Sequence, residues 1–441
     1  MTDTKLIVEK EIEKVLIIDT HEHICSSGVI RKLKRDLPYF ISEAYLRDDL
    51  TSAGMPLRFL SERVDLETKW RELSPFLSYV SNTTSYRSLI VAFNKLFDLN
   101  ISEIDDTNYR EISKLLENAA LQGEKWYRHV LKDLAHIETC FLDMDRTTEF
   151  EIELWKEKGF PSQLDSELEK EFFTRVTRID LTLNIHRSDV RLYFNRRFSL
   201  DLRSLKQFDE LIAKIVDEAK ARGSAALKCV GAYFREIYFA KEQRAEAENA
   251  FERMVSAKND LKDNMVVQNY AVHRFLEEAG RSGLPFQFHT GMQALNENVI
   301  NNSNPILLNN LFLEYPTVRF IMLHGGYPFS SVAGVIVKKF PNVYLDFSFL
   351  PQLSYTAARD NLAQWLDLVP ANKITWGGDA RQVEDTFANV LLLREILTDV
   401  LTEKIEKKLF TEELAMSVAR NIMHDNPIRI YKLNNTIKGG K

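Results

Sequence analysis

Cysteine is nearly missing from this chain: three residues in 441, at Cys25, Cys140 and Cys229. An odd, widely spaced set gives no disulfide framework and fits a reducing compartment. Glycine is scarce at 16 residues, which argues against a sandwich of short strands and for a helix-rich chain. Neither charge sign dominates, since 58 Lys and Arg face 64 Asp and Glu for a formal charge of −6. That balance excludes nucleic acid and an anionic membrane surface as expected partners. No uncharged apolar run approaches the ~20 residues of a membrane helix. The opening MTDTKLIVEKEIEK is polar and charged, without the apolar core of a secretory leader. The expectation is a soluble, cytoplasmic protein whose partner is a small molecule.

What the chain does have is 45% hydrophobic residues, gathered in eight short runs that each end in a polar or glycine-containing turn. They are Val15–His21, His136–Asp145, Val190–Arg197, Ser224–Val230, Pro285–Thr290, Arg319–Gly326, Asn342–Phe349 and Lys373–Asp379. Short runs apolar on both faces read as buried parallel strands. Helical patterns separate the later ones, and strand–helix alternation implies right-handed crossovers. The expected fold is α/β, a (β/α)8 TIM barrel in which residues 1–441 form a single domain. Residues ~30–132 carry several amphipathic helices and read as a large helical insertion after strand one, over the barrel mouth. Residues 235–283 predict one or two helices, and the tail predicts a closing helix.

The chemistry-bearing residues fall at the ends of these runs. On a strand, positions i and i+2 face the same way, so His21 and His23 point together and Glu22 points away. Neutral imidazole suits zinc and similar ions. His289 ends the fifth run, His324 the sixth, Asp379 the eighth, and Lys228 lies near the end of the fourth. Strand ends converge at the top of a barrel. A lone core histidine is usually structural, but four at strand ends with an aspartate point to a metal. Arg196 and Arg197 after strand three, Tyr233 and Arg235 after strand four, and Arg381 beyond Asp379 form a rim suited to an anionic substrate, because arginine grips carboxylates with two prongs. Cys25 reads as packing. His129, His136, His186, His273 and His424 read as structural or exposed.

With HxH after strand one, His after strands five and six, and Asp after strand eight, the sequence resembles the amidohydrolase superfamily. The run from FQFHTG through MLHGGYP and FPNVYLDFSFL to WGGDA is most similar to its "amidohydrolase 2" branch, and there to the amidohydrolase half of fused glutamine-synthetase-like proteins. The resemblance implies a metal-dependent amidohydrolase that cleaves an amide-type C–N bond through metal-activated water. It implies one or two divalent ions, expected to be Zn2+, held by His21, His23, Lys228, His289, His324 and Asp379. Asp379 would take the proton of the attacking water, and His324 would polarise the carbonyl or bind a second ion. Lys228 would be carboxylated in a two-metal site and unmodified in a one-metal site. The alternatives are a single-metal decarboxylase, lactonase or sugar-acid isomerase, and a catalytically silent interaction scaffold. A homo-oligomer is compatible with the pattern.

Overall fold

The computed structural model describes residues 2–33, 35–56, 64–143 and 169–433. Its eight strands are β1 (Ile17–Glu22), β2 (Ile137–Asp143), β3 (Phe173–Arg178), β4 (Ala226–Cys229), β5 (Phe286–Phe288), β6 (Phe320–Met322), β7 (Val343–Asp346) and β8 (Ile374–Thr375). They form one sheet in chain order. From β3 to β7 the ladder is parallel, pairing Val176 with Ala226, Leu227 with Phe286, Phe288 with Met322 and Met322 with Leu345. Helices follow the strands, so the fold is a (β/α)8 barrel. The strands are short and mostly buried, and β1 is buried at all six positions.

One strand assignment is corrected. The run Val190–Arg197 belongs to a helix, Ser188–Phe198. Its buried residues are Val190, Tyr193 and Phe194, an i, i+3, i+4 stripe that marks one helical face. The third strand is Phe173–Arg178 instead, whose sequence FTRVTR mixes polar and apolar residues. Arg196 and Arg197 therefore end a helix and do not follow a strand.

The insertion after β1 is helical, with helices Leu37–Glu43, Leu46–Ser52, Leu66–Val80, Thr84–Phe97 and Tyr109–Gln122. Asp36, Asp65 and Thr83 cap three of them by accepting a backbone N–H, the usual way to satisfy a helix start. The long helix Leu261–Ser282 begins in an Asp260–Asp263 capping box and stops at Gly283 in the left-handed conformation.

The chain divides into two compact units, one of Met1–Cys140, Ala294–Asn298 and Phe347–Asn426, the other of Phe141–Gln293, Val299–Asp346 and Pro427–Lys441. The first has a core inside the insertion, where Phe40, Leu73, Leu77, Leu89, Phe93, Ile112 and Leu116 pack together. The second holds the β3–β7 ladder with helices Leu205–Ala221 and Leu261–Ser282 packed on each other.

Candidate metal centre

In the first unit, β1 delivers both histidines to one carboxylate. His21 Nε2 and His23 Nε2 each lie 3.3 Å from Asp379 Oδ1. The two rings stand 4.8 Å apart at 80°. Ligands bound at about 2.0–2.1 Å to a tetrahedral ion stand roughly 3.4 Å from one another. Each imidazole–carboxylate separation matches that spacing. His21 and Asp379 are buried.

The backbone fixes this arrangement. The Asp379 N–H donates to the His21 carbonyl at 2.7 Å, the His23 N–H to the Ala380 carbonyl at 2.8 Å, and the Thr20 N–H to the Trp376 carbonyl at 3.2 Å. Close approach requires the two glycines before Asp379. A Cβ at Gly377 would meet the His21 backbone nitrogen at 2.5 Å, and one at Gly378 would collide with Glu22 Oε1. Asp379 itself adopts φ 56°, a left-handed conformation that costs a non-glycine residue energy and clusters at functional sites. Beneath, Asp19 accepts the His21 and Gly378 N–H groups at 3.1 and 3.0 Å. Glu22 accepts the Ala380 N–H at 2.5 Å. Burial, and then the neighbouring Asp19, pushes the Glu22 carboxyl well above its usual range.

One further residue of this unit reaches Asp379, and a second lies beside it. The Tyr45 hydroxyl donates to Asp379 Oδ1 at 3.1 Å, and its ring lies 4.2 Å from that of Phe349. The Arg381 guanidinium sits 5.9 Å from the Tyr45 ring centroid, with Glu43 3.9 Å away. The sequence reading found Arg381 and missed Tyr45. Tyr45 comes from the insertion, and no local pattern there distinguishes one aromatic from another.

In the second unit, His289 and His324 meet each other. His324 Nε2 is 3.0 Å from His289 Nδ1, and His289 Nε2 is 3.2 Å from the Met292 carbonyl. A carbonyl can only accept, so His289 donates from Nε2 and its Nδ1 accepts the His324 proton. His324 also has positive φ, 65°. The Tyr233 ring packs edge-on against His289 at 4.9 Å. Lys228 Nζ lies 2.8 Å from Asp143 Oδ2 with both side chains buried. Arg178 stands 3.8 Å from the other Asp143 oxygen and 3.1 Å from Asp180. Asp180 accepts the Val230 N–H at 2.7 Å; burial raises its pKa against the opposing pull of Arg178. Asp143 is a second residue the sequence reading missed, although it lies inside the second predicted run, His136–Asp145, and ends β2.

The remaining arginines are committed elsewhere. Arg235 bonds to Gln268, Asn269 and the Tyr238 carbonyl and covers the Phe239 ring. Arg197 is held by Glu218 and the Tyr193 hydroxyl, and Arg196 is exposed on the same helix. His273 bonds Tyr315 and the Phe239 carbonyl, and His424 lies between Glu138 and Asp425. Cys25 is half-buried.

Histidine pairs at the ends of strands on a (β/α)8 barrel define a metal-dependent enzyme of the amidohydrolase superfamily. The chain belongs to the Amidohydrolase family (Amidohydro_2), whose model matches residues 194–433. It is 37% identical over 155 residues to Protein fluG of Emericella nidulans, a match covering 34% of this chain and 18% of that protein's length. Two solved structures share the fold end to end. Uronate isomerase from Thermotoga maritima has a TM-score of 0.76 at 15% identity, covering 98% of each chain. Glucuronate isomerase from Caulobacter crescentus has a TM-score of 0.77 at 15% identity, covering 98% of this chain and 94% of the other. Among the described residues no helix is long and apolar enough to cross a membrane.

Proposed function

We propose that this protein hydrolyses an amide-type C–N bond in a small anionic substrate, with a divalent ion, Zn2+ in the simplest case, held by His21, His23 and Asp379. The carrying observation is that both imidazoles stand 3.3 Å from one carboxylate oxygen. A bound ion supplies Lewis acidity and brings the pKa of a water down to about 7. Asp379 receives the proton of the attacking water at Oδ2, since its Oδ1 faces His21, His23 and the Tyr45 hydroxyl. Tyr45 keeps that carboxylate oriented through the step. The His324–His289–Met292 chain supports an electrophilic role for His324, whose Nε2–H would turn from His289 Nδ1 to the substrate carbonyl. Arg381, weakly countered by Glu43, takes the substrate's negative group, and a γ-glutamyl amide fits that requirement through the family resemblance.

Lys228 enters this reading as the ion-pair partner of Asp143. Its Nζ lies 2.8 Å from a buried carboxylate, a contact that a carbamate bridging two ions would have to break. The site then works with one ion. The same ion pair favours a second reading, isomerisation of a sugar acid, which needs no bridging lysine. Metal analysis of protein purified without chelator, followed by product NMR on a panel of γ-glutamyl amides, lactones and uronates, tests both. Release of amine supports the hydrolase, aldose–ketose conversion replaces it with the isomerase, and a chain that binds no metal overturns both.

A further inference from the structure

The first unit holds a groove that shares no residue with the metal centre. It lies between the insertion helix Thr84–Phe97 and the helices Tyr355–Leu368 and Val383–Glu406, with a volume of about 770 Å3. Sites for small molecules span roughly 300–1,000 Å3. Its walls are tied to one another and to the long helix. The Tyr355 N–H donates to Thr84 Oγ1 at 3.1 Å, and the Tyr355 hydroxyl donates to Asp399 Oδ2 at 2.5 Å. Two helical stripes face the space. Ile90 and Val91 follow Arg87 at i+3 and i+4, and Ala388, Leu391, Leu392 and Glu395 stand at i, i+3, i+4 and i+7 of the other helix. Residues at these spacings share one helix face. Each stripe is apolar and carries one charge at an end. Val91 stays 47% exposed, so the apolar floor is open to a ligand.

The two charges act on each other without meeting. Among the described residues, neither Arg87 nor Glu395 has an ion-pair partner or a side-chain hydrogen bond. Burial, and then the neighbouring Asp399, raises the Glu395 pKa, while Lys5 and Arg87 pull it back. Lys5 is spent on Asp399, at 2.6 Å. Opposite charges held across a gap leave room for a molecule that carries both. Tyr86 adds a donor beside Arg87. Its buried hydroxyl accepts the Ile104 N–H at 2.9 Å, and a hydroxyl that accepts one bond still has its own proton to give. Among the described residues that proton has no acceptor. A guanidinium fork and a phenol side by side suit a carboxylate.

We propose that this groove binds a free amino acid with an apolar side chain. The ligand carboxylate meets Arg87 and the Tyr86 hydroxyl, its ammonium group meets Glu395, and its side chain covers Ile90, Val91 and Leu391. An amine or a carboxylic acid alone satisfies one end and leaves the other charge unmatched. The site needs neither the metal ion nor the hydrolysis proposed above.

The test is titration of the full chain with L-phenylalanine, followed by calorimetry and by melting temperature, which a ligand of the folded state raises. Two control ligands each delete one charge: 3-phenylpropanoate lacks the ammonium group and 2-phenylethylamine lacks the carboxylate. Wild type is expected to bind L-phenylalanine saturably and about tenfold more tightly than either control, the effect of one charge-assisted contact. Arg87→Gln should weaken L-phenylalanine about tenfold and leave 2-phenylethylamine unchanged. Glu395→Gln should weaken it by a similar factor and leave 3-phenylpropanoate unchanged. An unchanged control ligand in each variant rules out a folding defect as the cause. His21→Ala should bind L-phenylalanine as wild type does, whether or not the chain has hydrolase activity. Absence of saturable binding, or binding that both groove variants leave unchanged, overturns the proposal. Binding lost in His21→Ala and kept in Arg87→Gln places the ligand at the metal centre and overturns it as well.

Discussion

In the first unit two imidazoles converge on a carboxylate; in the second an imidazole converges on another imidazole. His21 lies on β1 and His23 just past its end, two residues apart, and both are tied to the Trp376–Ala380 segment by backbone hydrogen bonds. His289 and His324 come from different strands and bond to each other, while Lys228 already has its counter-charge in Asp143. Nitrogen and oxygen donors at ligand spacing suit a metal, whereas two hydrogen-bonded imidazoles suit the presentation of a proton. The following variants test whether the two sets have different tasks.

The largest effect is expected at β1. His21→Ala or His23→Ala should lower metal affinity by more than about 100-fold, beyond the range seen when only a ligand's supporting partner is removed. His289→Asn should change metal affinity by less than about tenfold while abolishing turnover. Metal competition with a chromophoric chelator reads both. Equal loss of metal in the β1 and His289 variants would erase the distinction and make His289 a full ligand.

The buried pair in the second unit comes next. Removing one partner of a buried ion pair leaves an uncompensated charge and costs about 3–5 kcal/mol. Lys228→Met should therefore lower unfolding free energy by roughly 3 kcal/mol in urea melts, and Lys228→Met with Asp143→Leu should recover most of it. A carbamate resonance in protein prepared with 13C-bicarbonate would instead show Lys228 carboxylated and restore a two-ion site.

Tyr45 is the smaller test of the first set. Tyr45→Phe keeps the ring against Phe349 and deletes only the hydroxyl, so metal affinity should fall about tenfold with little change in stability. An unchanged affinity would leave Tyr45 as packing alone.

How much of this was legible beforehand follows from where each residue sits. His21, His23, His289, His324 and Asp379 each end an apolar run, and an unprotected polar group after buried strand residues is visible in one dimension. Tyr45 was not, because it belongs to a helical insertion full of similar aromatics and gains its role only through a tertiary contact with Asp379. The third strand was misplaced for a different reason. VRLYFNRR is aromatic and looks like a strand, yet its buried positions have helical spacing. FTRVTR carries two arginines, which hide a strand that begins at Phe173 in an otherwise charged stretch. Arg197 moved with that helix, from an expected substrate contact to an ion pair with Glu218.

His424 provides an internal control on the comparison. It is also an imidazole beside a carboxylate in the first unit, with Nε2 3.0 Å from Glu138 and Nδ1 2.8 Å from Asp425. Here each nitrogen has its own carboxylate, the pattern of a protonated histidine and not of a metal ligand. Hydrogen bonding to Glu138 raises the His424 pKa above its usual 6.5, and hydrogen bonding to His424 lowers that of Glu138 below 4.5. A raised histidine contributes stability that is complete below its unfolded pKa and is lost as pH rises through the folded one. A lowered carboxylate contributes stability present above its unfolded pKa and lost as pH falls through the folded one. The pair is therefore most stabilising between about pH 4.5 and 6.5 and fades on both sides. Both side chains are partly exposed, so the effect stays under about 1 kcal/mol. The difference in melting temperature between wild type and His424→Gln should peak in that window. The peak should be the same with and without chelator, whereas chelator should lower the melting temperature of wild type and leave His21→Ala unmoved. A chelator-dependent peak at His424 would remove the physical distinction between a histidine that pairs with a proton and one that pairs with a metal.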